Sequence, residues 1–261
     1  MDISRLLDAP SACKKRRKSR LSAQDKTQRE ADNSEILNLT LDVNSLRQQM
    51  HDCLVQKSLW ETRLLIAREQ FHARSLRSVG HFFHLFQSGY PKVLTVSEKR
   101  FLAALLDESI SVGGGVRGQV QFLEQWRRYK KLFGVRRLST HSMQVVSTDS
   151  AGCLIECIGA FEGCVTVAAL QSVFPYALED KALVDLVQHR RFVCPTKTLV
   201  TLDASGRVVQ FDANSDVFKA MSQVLDFDLH RLAMLMKNAV ISEGSLLPPN
   251  SSRNSIEFLL S

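Results

Sequence analysis

The chain has 261 residues, a net charge of +7 and 44% hydrophobic residues, enough for one sizeable globular domain plus an extension. Between Lys14 and Glu30, eight cations and two anions carry +6 of that charge, so the electrostatic footprint is local, as in a binding element rather than a generally basic protein. Met1 to Ala12 has no sustained apolar core, and no apolar stretch is long enough to cross a bilayer. The expectation is an intracellular protein with reduced thiols and no membrane partner.

Residues 1–13 read as a disordered polar leader. Residues 14–35 read as a basic region containing Lys14, Lys15, Arg16, Arg17, Lys18 and Arg20, with Lys26 and Arg29 farther on. Residues 36–67 read as a zipper, 68–242 as an α+β domain, and 243–261, rich in Ser and Asn, as a disordered tail. No Pro or Gly occurs between Ser11 and Val79, which permits one long helix before Gly80, Gly89 and Pro91 punctuate the chain. Thr95-Val96-Ser97-Glu98 is a capping box. The helix it opens runs through Phe101, Leu102, Leu105 and Leu106 until Gly113-Gly114-Gly115 breaks it. A third helix is expected over about 117–132, with Val120, Leu123, Trp126 and Leu132 inward.

Strands follow. Met143–Thr148 and Cys153–Phe161 flank Asp149-Ser150-Ala151-Gly152, and Thr198–Leu202 and Val208–Phe211 flank Asp203-Ala204-Ser205-Gly206. Both read as hairpins with turn-forming aspartates. Helical segments are expected near 166–173, 179–188 and 215–240. Helices first and antiparallel hairpins later give an α+β fold: a long basic/zipper helix, then a helix-plus-antiparallel-sheet domain.

The zipper reading rests on spacing. Ile36, Val43, Met50, Lys57 and Leu64 repeat at one heptad position, and Leu39, Leu46, Cys53, Trp60 and Ala67 lie three residues later. β-Branched residues at a with leucine at d favour a parallel two-stranded coil, and Lys57 at a sets register at a cost in stability. Asp42 at g faces Arg47 at e of a second copy, whereas Arg63 faces Arg68. The residues assigned to dimerisation are Ile36, Leu39, Val43, Leu46, Met50, Cys53, Lys57 and Trp60. Leu37, Leu41, Leu54 and Val55 widen the apolar face, which keeps open a second reading, a helix packed on its own domain.

A basic helix continuous with a zipper resembles the basic leucine zipper (bZIP) transcription factors, and specifically the group expanded in oomycetes. The resemblance extends through Trp60, His81-Phe82-Phe83-His84-Leu85-Phe86-Gln87-Ser88-Gly89-Tyr90, Phe122-Leu123-Glu124-Gln125-Trp126-Arg127, Val173-Phe174-Pro175 and the hairpin around Asp203–Phe211. It implies double-stranded DNA as a partner, dimerisation with itself or another bZIP protein, and a nuclear location. The DNA-contacting residues it implies are Lys14, Lys15, Arg16, Arg17, Lys18, Arg20, Lys26 and Arg29. The base-reading position departs from the family pattern. Counting back from Leu39, the expected asparagine or cysteine is Leu21, while the following arginine is present as Arg29. Leucine makes no hydrogen bond to a base edge. The other phase puts Ser19 at the reader but Thr27 at the arginine. Residues 14–20 thus read as a nuclear import signal, a phosphate clamp of weak base specificity, or a solvated charge run.

The C-terminal region resembles the cone-shaped nuclear transport factor 2-like domains, whose members include enzymes, ligand binders and dimerisation modules. The residues show no phosphate loop, nucleophile elbow or paired-cysteine zinc motif. His81 and His84, three apart on a helix face, are metal candidates with His141, and helix packing is the simpler reading. Cys153 and Cys157, about 13 Å apart along a strand, read with Cys164 as core thiols. Arg136-Arg137-Leu138-Ser139 resembles a site for a basophilic kinase. The expectation is a non-enzymatic bZIP-like transcription regulator without cofactor or metal. The alternatives are a dimerisation or ligand-binding module that modulates a complete bZIP partner and, further off, an isomerase- or dehydratase-like enzyme.

Overall fold

The structure, a computed structural model, describes residues 22–113 and 115–240. The leader 1–13, Lys14, Lys15, Arg16, Arg17, Lys18, Arg20, Leu21 and the tail 243–261 lie outside the described residues. The chain divides into two compact units, Met1–Leu65 and Ile66–Ser261.

The first unit is helical. α1 spans Ala23–Leu85, and its part up to Leu65 is about 65 Å long at 1.5 Å per residue. Ser22 and Asp25 start it reciprocally, each backbone N–H donating to the other's side chain at 3.2 Å, which satisfies two of the free donors of a helix start. Thr40 and Thr62 donate their hydroxyls to the carbonyls of Ile36 and Ser58, at 2.7 and 2.8 Å, so these threonines need no partner off the helix. The sequence makes Gly80 a punctuation point. It lies inside α1 instead, because buried Val79, Phe82 and Phe83 hold this turn to the core more strongly than one glycine, at about 1 kcal/mol, loosens it.

The second unit, α+β, begins with the last turns of α1. α2 (Val96–Leu105) starts at the capping box: Glu98 N–H donates to Thr95 Oγ1 at 3.3 Å, and Thr95 N–H donates to Glu98 Oε2 at 2.6 Å. The helix stops at Leu105 and does not reach the glycines. β1 (Leu106–Ser111) follows directly, because its backbone pairs with a strand a hundred residues later. α3 covers Gln119–Leu132 with Phe122, Gln125 and Leu132 buried. Val120, expected inward, is 72% exposed, since Phe122 takes the inward phase.

β2 (Arg137–Thr148), β3 (Gly152–Cys164), β4 (Arg191–Asp203) and β5 (Val208–Ser215) are all longer than expected. The sheet order is β1-β5-β4-β3-β2. Its pairs are antiparallel except β1 with β5, which is parallel. Both turn aspartates act as expected. Asp149 Oδ1 accepts from Ala151 and Gly152, and Asp203 Oδ1 from Ser205 and Arg207, at 2.8–3.0 Å. Between β3 and β4 lie α4 (Val167–Ser172), a 3-10 turn (Pro175–Glu179) and α5 (Lys181–Val187). After the sheet come α6 (Val217–Val224) and α7 (Leu229–Met236). Asp226 and Phe227, both at positive φ, break what the sequence reads as one helical segment.

Two cores result. One joins α4–α7 to the Phe161 and Phe192 end of the sheet. The other joins the end of α1, α2 and α3 to the Val200 and Phe211 end. Its centre is aromatic, with ring centroids of Phe82–Phe86 at 4.7 Å, Phe122–Phe211 at 5.0 Å and Phe86–Trp126 at 4.8 Å, within the range where aromatic pairs add to plain burial.

Candidate dimerisation and nucleic-acid interface

α1 brings two sets of expected site residues onto one unbroken helix. Lys26 and Arg29 are exposed near its start and, three apart, share a face. Asp25 and Glu30 lie beside them, which weakens their pull on a phosphate. The remaining DNA-contact candidates, Lys14 to Arg20, fall outside the described residues.

The eight seam residues follow from Ile36 to Trp60. Each of residues 22–70 is exposed, and the first buried residue of α1 is Ser75. Leu46 is 63% and Trp60 64% exposed. A leucine fully buried from such a state contributes roughly 1.5–3 kcal/mol, so the seam holds unspent hydrophobic energy. Off-seam Leu37, Leu41, Leu54, Val55 and Leu59 are exposed as well. Cys53, at a d position, is an exposed free thiol. Lys57 Nζ lies 3.9 Å from Glu61 Oε1 with both side chains mostly solvated, an ion pair of small energetic weight.

The second unit holds a cavity of about 90 Å³ between α3 and the sheet, lined by aromatic and aliphatic side chains together with Gln125, Tyr129, Lys130, Thr196, Thr198 and Ser215. No Asp, Glu or His is among its lining residues. Sequence reasoning passed over Thr196 and Thr198. The available signal was their place in the same inward alternation of β4 as Val200 and Leu202.

The histidines stand apart. His81 meets the Phe101 ring edge-on at 4.5 Å, and His84 and His141 are exposed. Among the described residues no three His, Cys, Asp or Glu side chains are grouped to hold a metal. Cys153, Cys157 and Cys194 are buried. Burial pushes the Cys157 and Cys194 thiols up to about 12, which makes them packing groups rather than nucleophiles. Ser139, the kinase-site candidate, is in β2 opposite Ala160 and donates its hydroxyl to the Ala160 carbonyl at 3.2 Å. A kinase would have to free it from the sheet. No helix among the described residues is long and apolar enough to cross a membrane.

The family model of the bZIP transcription factor 1 C-terminal domain matches residues 76–132, from the last turns of α1 through α3. No curated protein matches the chain. Among solved structures, the chain is similar to a putative polyketide cyclase from Xanthomonas campestris pv. campestris, at 14% identity and TM-score 0.38 over 59% of this chain and 98% of that one. It is similar to a putative SnoaL-like polyketide cyclase from Jannaschia sp. CCS1, at 12% identity and TM-score 0.41 over 59% and 93%. An NTF2-like protein from Anabaena variabilis ATCC 29413 gives 12% identity and TM-score 0.34 over 54% and 88%.

Proposed function

We propose that the chain is a bZIP-type transcription regulator of the nucleus, which pairs through Ile36, Leu39, Val43, Leu46, Met50, Cys53, Lys57 and Trp60 and contacts DNA mainly through phosphates. The observation that carries this reading is the exposed a/d seam on a helix that also bears Lys26 and Arg29. The match of residues 76–132 to a bZIP factor's C-terminal domain supports it. In the proposed complex the two helices bury the seam against each other and diverge toward their N-termini, where Lys14, Lys15, Arg16, Arg17, Lys18 and Arg20 join Lys26 and Arg29 along the backbone of the duplex.

Two measurements test the pair of claims. Sedimentation of the full chain at micromolar concentration is expected to show a dimer, and Leu39→Pro with Leu46→Pro to return it to monomer, because proline breaks the helix at the seam. Binding to randomised duplex DNA is expected to be steeply salt-dependent, with a log–log slope of roughly −0.9 per phosphate neutralised, and poor in base discrimination. Leu21→Asn is expected to sharpen sequence preference more than it raises affinity. A strong consensus site from the unmodified homodimer overturns the phosphate reading.

Leu21 at the base-reading position also favours a second reading, in which the chain lends half a DNA grip to a complete bZIP partner and residues 14–20 serve as import signal. A wild type that stays monomeric alone but dimerises with such a partner distinguishes it.

A further inference from the structure

We propose that the cavity between α3 and the sheet binds a small uncharged aromatic molecule bearing a hydroxyl or carbonyl oxygen, the phenol class, so that the regulator has a ligand site separate from its seam.

The walls set the shape. Phe122 and Trp126 come from α3, four residues apart and on one face, and Phe211 comes from β5. Phe122 and Phe211 meet nearly edge-to-face, with ring planes at 68°. A flat ring entering such a corner finds faces and edges to pack on. The volume, about 90 Å³, is well above the roughly 10–15 Å³ that holds one water and below the ~150 Å³ apolar cavity that encloses benzene. This cavity is open on one side, so a single ring fits with one edge toward solvent, and a two-ring system is too large.

The polar groups set the chemistry. Thr196 and Thr198 stand two apart on β4, which places both on the same face of the strand, and both line the cavity. Thr198 is only 5% exposed. Gln125, Tyr129 and Ser215 line the cavity too, and hydroxyls and an amide can donate or accept, so this lining suits a neutral ligand oxygen that does either. Charge is disfavoured. No carboxylate or imidazole lines the cavity, so a cationic ligand finds no counter-ion. The one cation, Lys130, turns its ammonium to the Tyr90 carbonyl at 2.6 Å, and its stem packs on Gly89, so an anionic ligand would have to draw it away. An ionised guest therefore loses hydration with little return, whereas a neutral ring with one oxygen loses little.

The test uses the full chain and phenol as the probe. The protein has two tryptophans, and only Trp126 lines the cavity, so its indole N–H resonance reports occupancy while that of Trp60 is the internal control. Phenol is expected to shift the Trp126 signal saturably with the Trp60 signal unmoved. Benzoate and benzylammonium at the same concentration are expected to bind at least tenfold more weakly, and cyclohexanol, which lacks the flat ring, likewise. Ala213→Leu, on the cavity wall, is expected to abolish the shift. Thr198→Val keeps shape and removes one hydroxyl, and is expected to weaken phenol binding about tenfold. It also serves as the second variant if Ala213→Leu does not fold. Absence of a Trp126 shift at about 10 mM phenol, preference for benzoate, or unchanged binding in Thr198→Val overturns the proposal. None of these outcomes depends on dimerisation or DNA binding.

Discussion

The two ends of α1 obey the same helical geometry and opposite rules of burial. Up to Leu65 every leucine, isoleucine and valine on it is exposed, whereas Val79, Phe82 and Phe83 are buried within the second unit. Composition does not separate them, since both stretches carry large apolar residues at helical spacing. Company does: Phe82 meets Phe122, Trp126 and Phe211, and Leu46 meets solvent. A stripe covered by its own chain stabilises a domain. An exposed one is, in the proposed dimer, free energy held for a second chain.

The sharpest way to break this contrast is one truncation in each part. Phe82→Ala removes the ring that touches most of the aromatic centre and is expected to cost about 3–5 kcal/mol, read as a lower denaturant midpoint of the second unit. Leu46→Ala is expected to leave that midpoint unchanged and to weaken self-association in sedimentation. Equal loss of domain stability in both variants would show that the seam is covered intramolecularly.

Thiol labelling sharpens the same contrast. Cys53 is exposed and is expected to be labelled first by a maleimide. Cys157 and Cys194, whose thiols burial raises from 9.0 to about 12, hold about a thousandfold less thiolate at pH 8 and are expected to stay unlabelled until unfolding. Mass spectrometry of the labelled native protein checks the order. In the proposed parallel dimer the two Cys53 side chains face each other at d, so mild oxidation is expected to give a cross-linked dimer that Leu39→Pro with Leu46→Pro prevents.

Thr95→Ala removes the hydroxyl of the α2 capping box and is expected to cost about 1 kcal/mol, again read only in the second unit. The smallest effect is its pH dependence. Backbone and side-chain hydrogen bonds from Thr95 hold the Glu98 carboxyl below the usual carboxylate range. A carboxylate depressed on folding adds stability that is complete above its unfolded pKa and is lost as pH falls through the lower folded one. The stability difference between wild type and Thr95→Ala is therefore expected to be constant above about pH 5 and to shrink toward pH 3.

What was readable in the sequence was local. The Thr95 box, the two aspartate turns and the long helix each depend on residues within a turn of one another. β1 was missed because Leu-Asp-Glu-Ser-Ile-Ser has no strand signature of its own, and β5 supplies its partner. The first half of β2 was missed because its polar residues, such as Ser139 and Thr140, belong to an outer strand paired on one side only. At the seam, spacing names the residues and the structure places them in solvent. Within the second unit, Thr196 and Thr198 become legible only when β4 is long enough to carry the inward alternation past Val200.

The pairing of β1 with β5 has a consequence in time. Leu106 must wait for Val208, and Phe82 for Phe211, before either is covered. α1 up to Leu65 needs nothing downstream to be complete. At about 5–20 residues per second of synthesis, the finished seam precedes the residues that close the second unit by on the order of ten seconds. In the proposed dimer, neighbouring chains on one message thus have an interval in which the first apolar surface each can find is the other's α1.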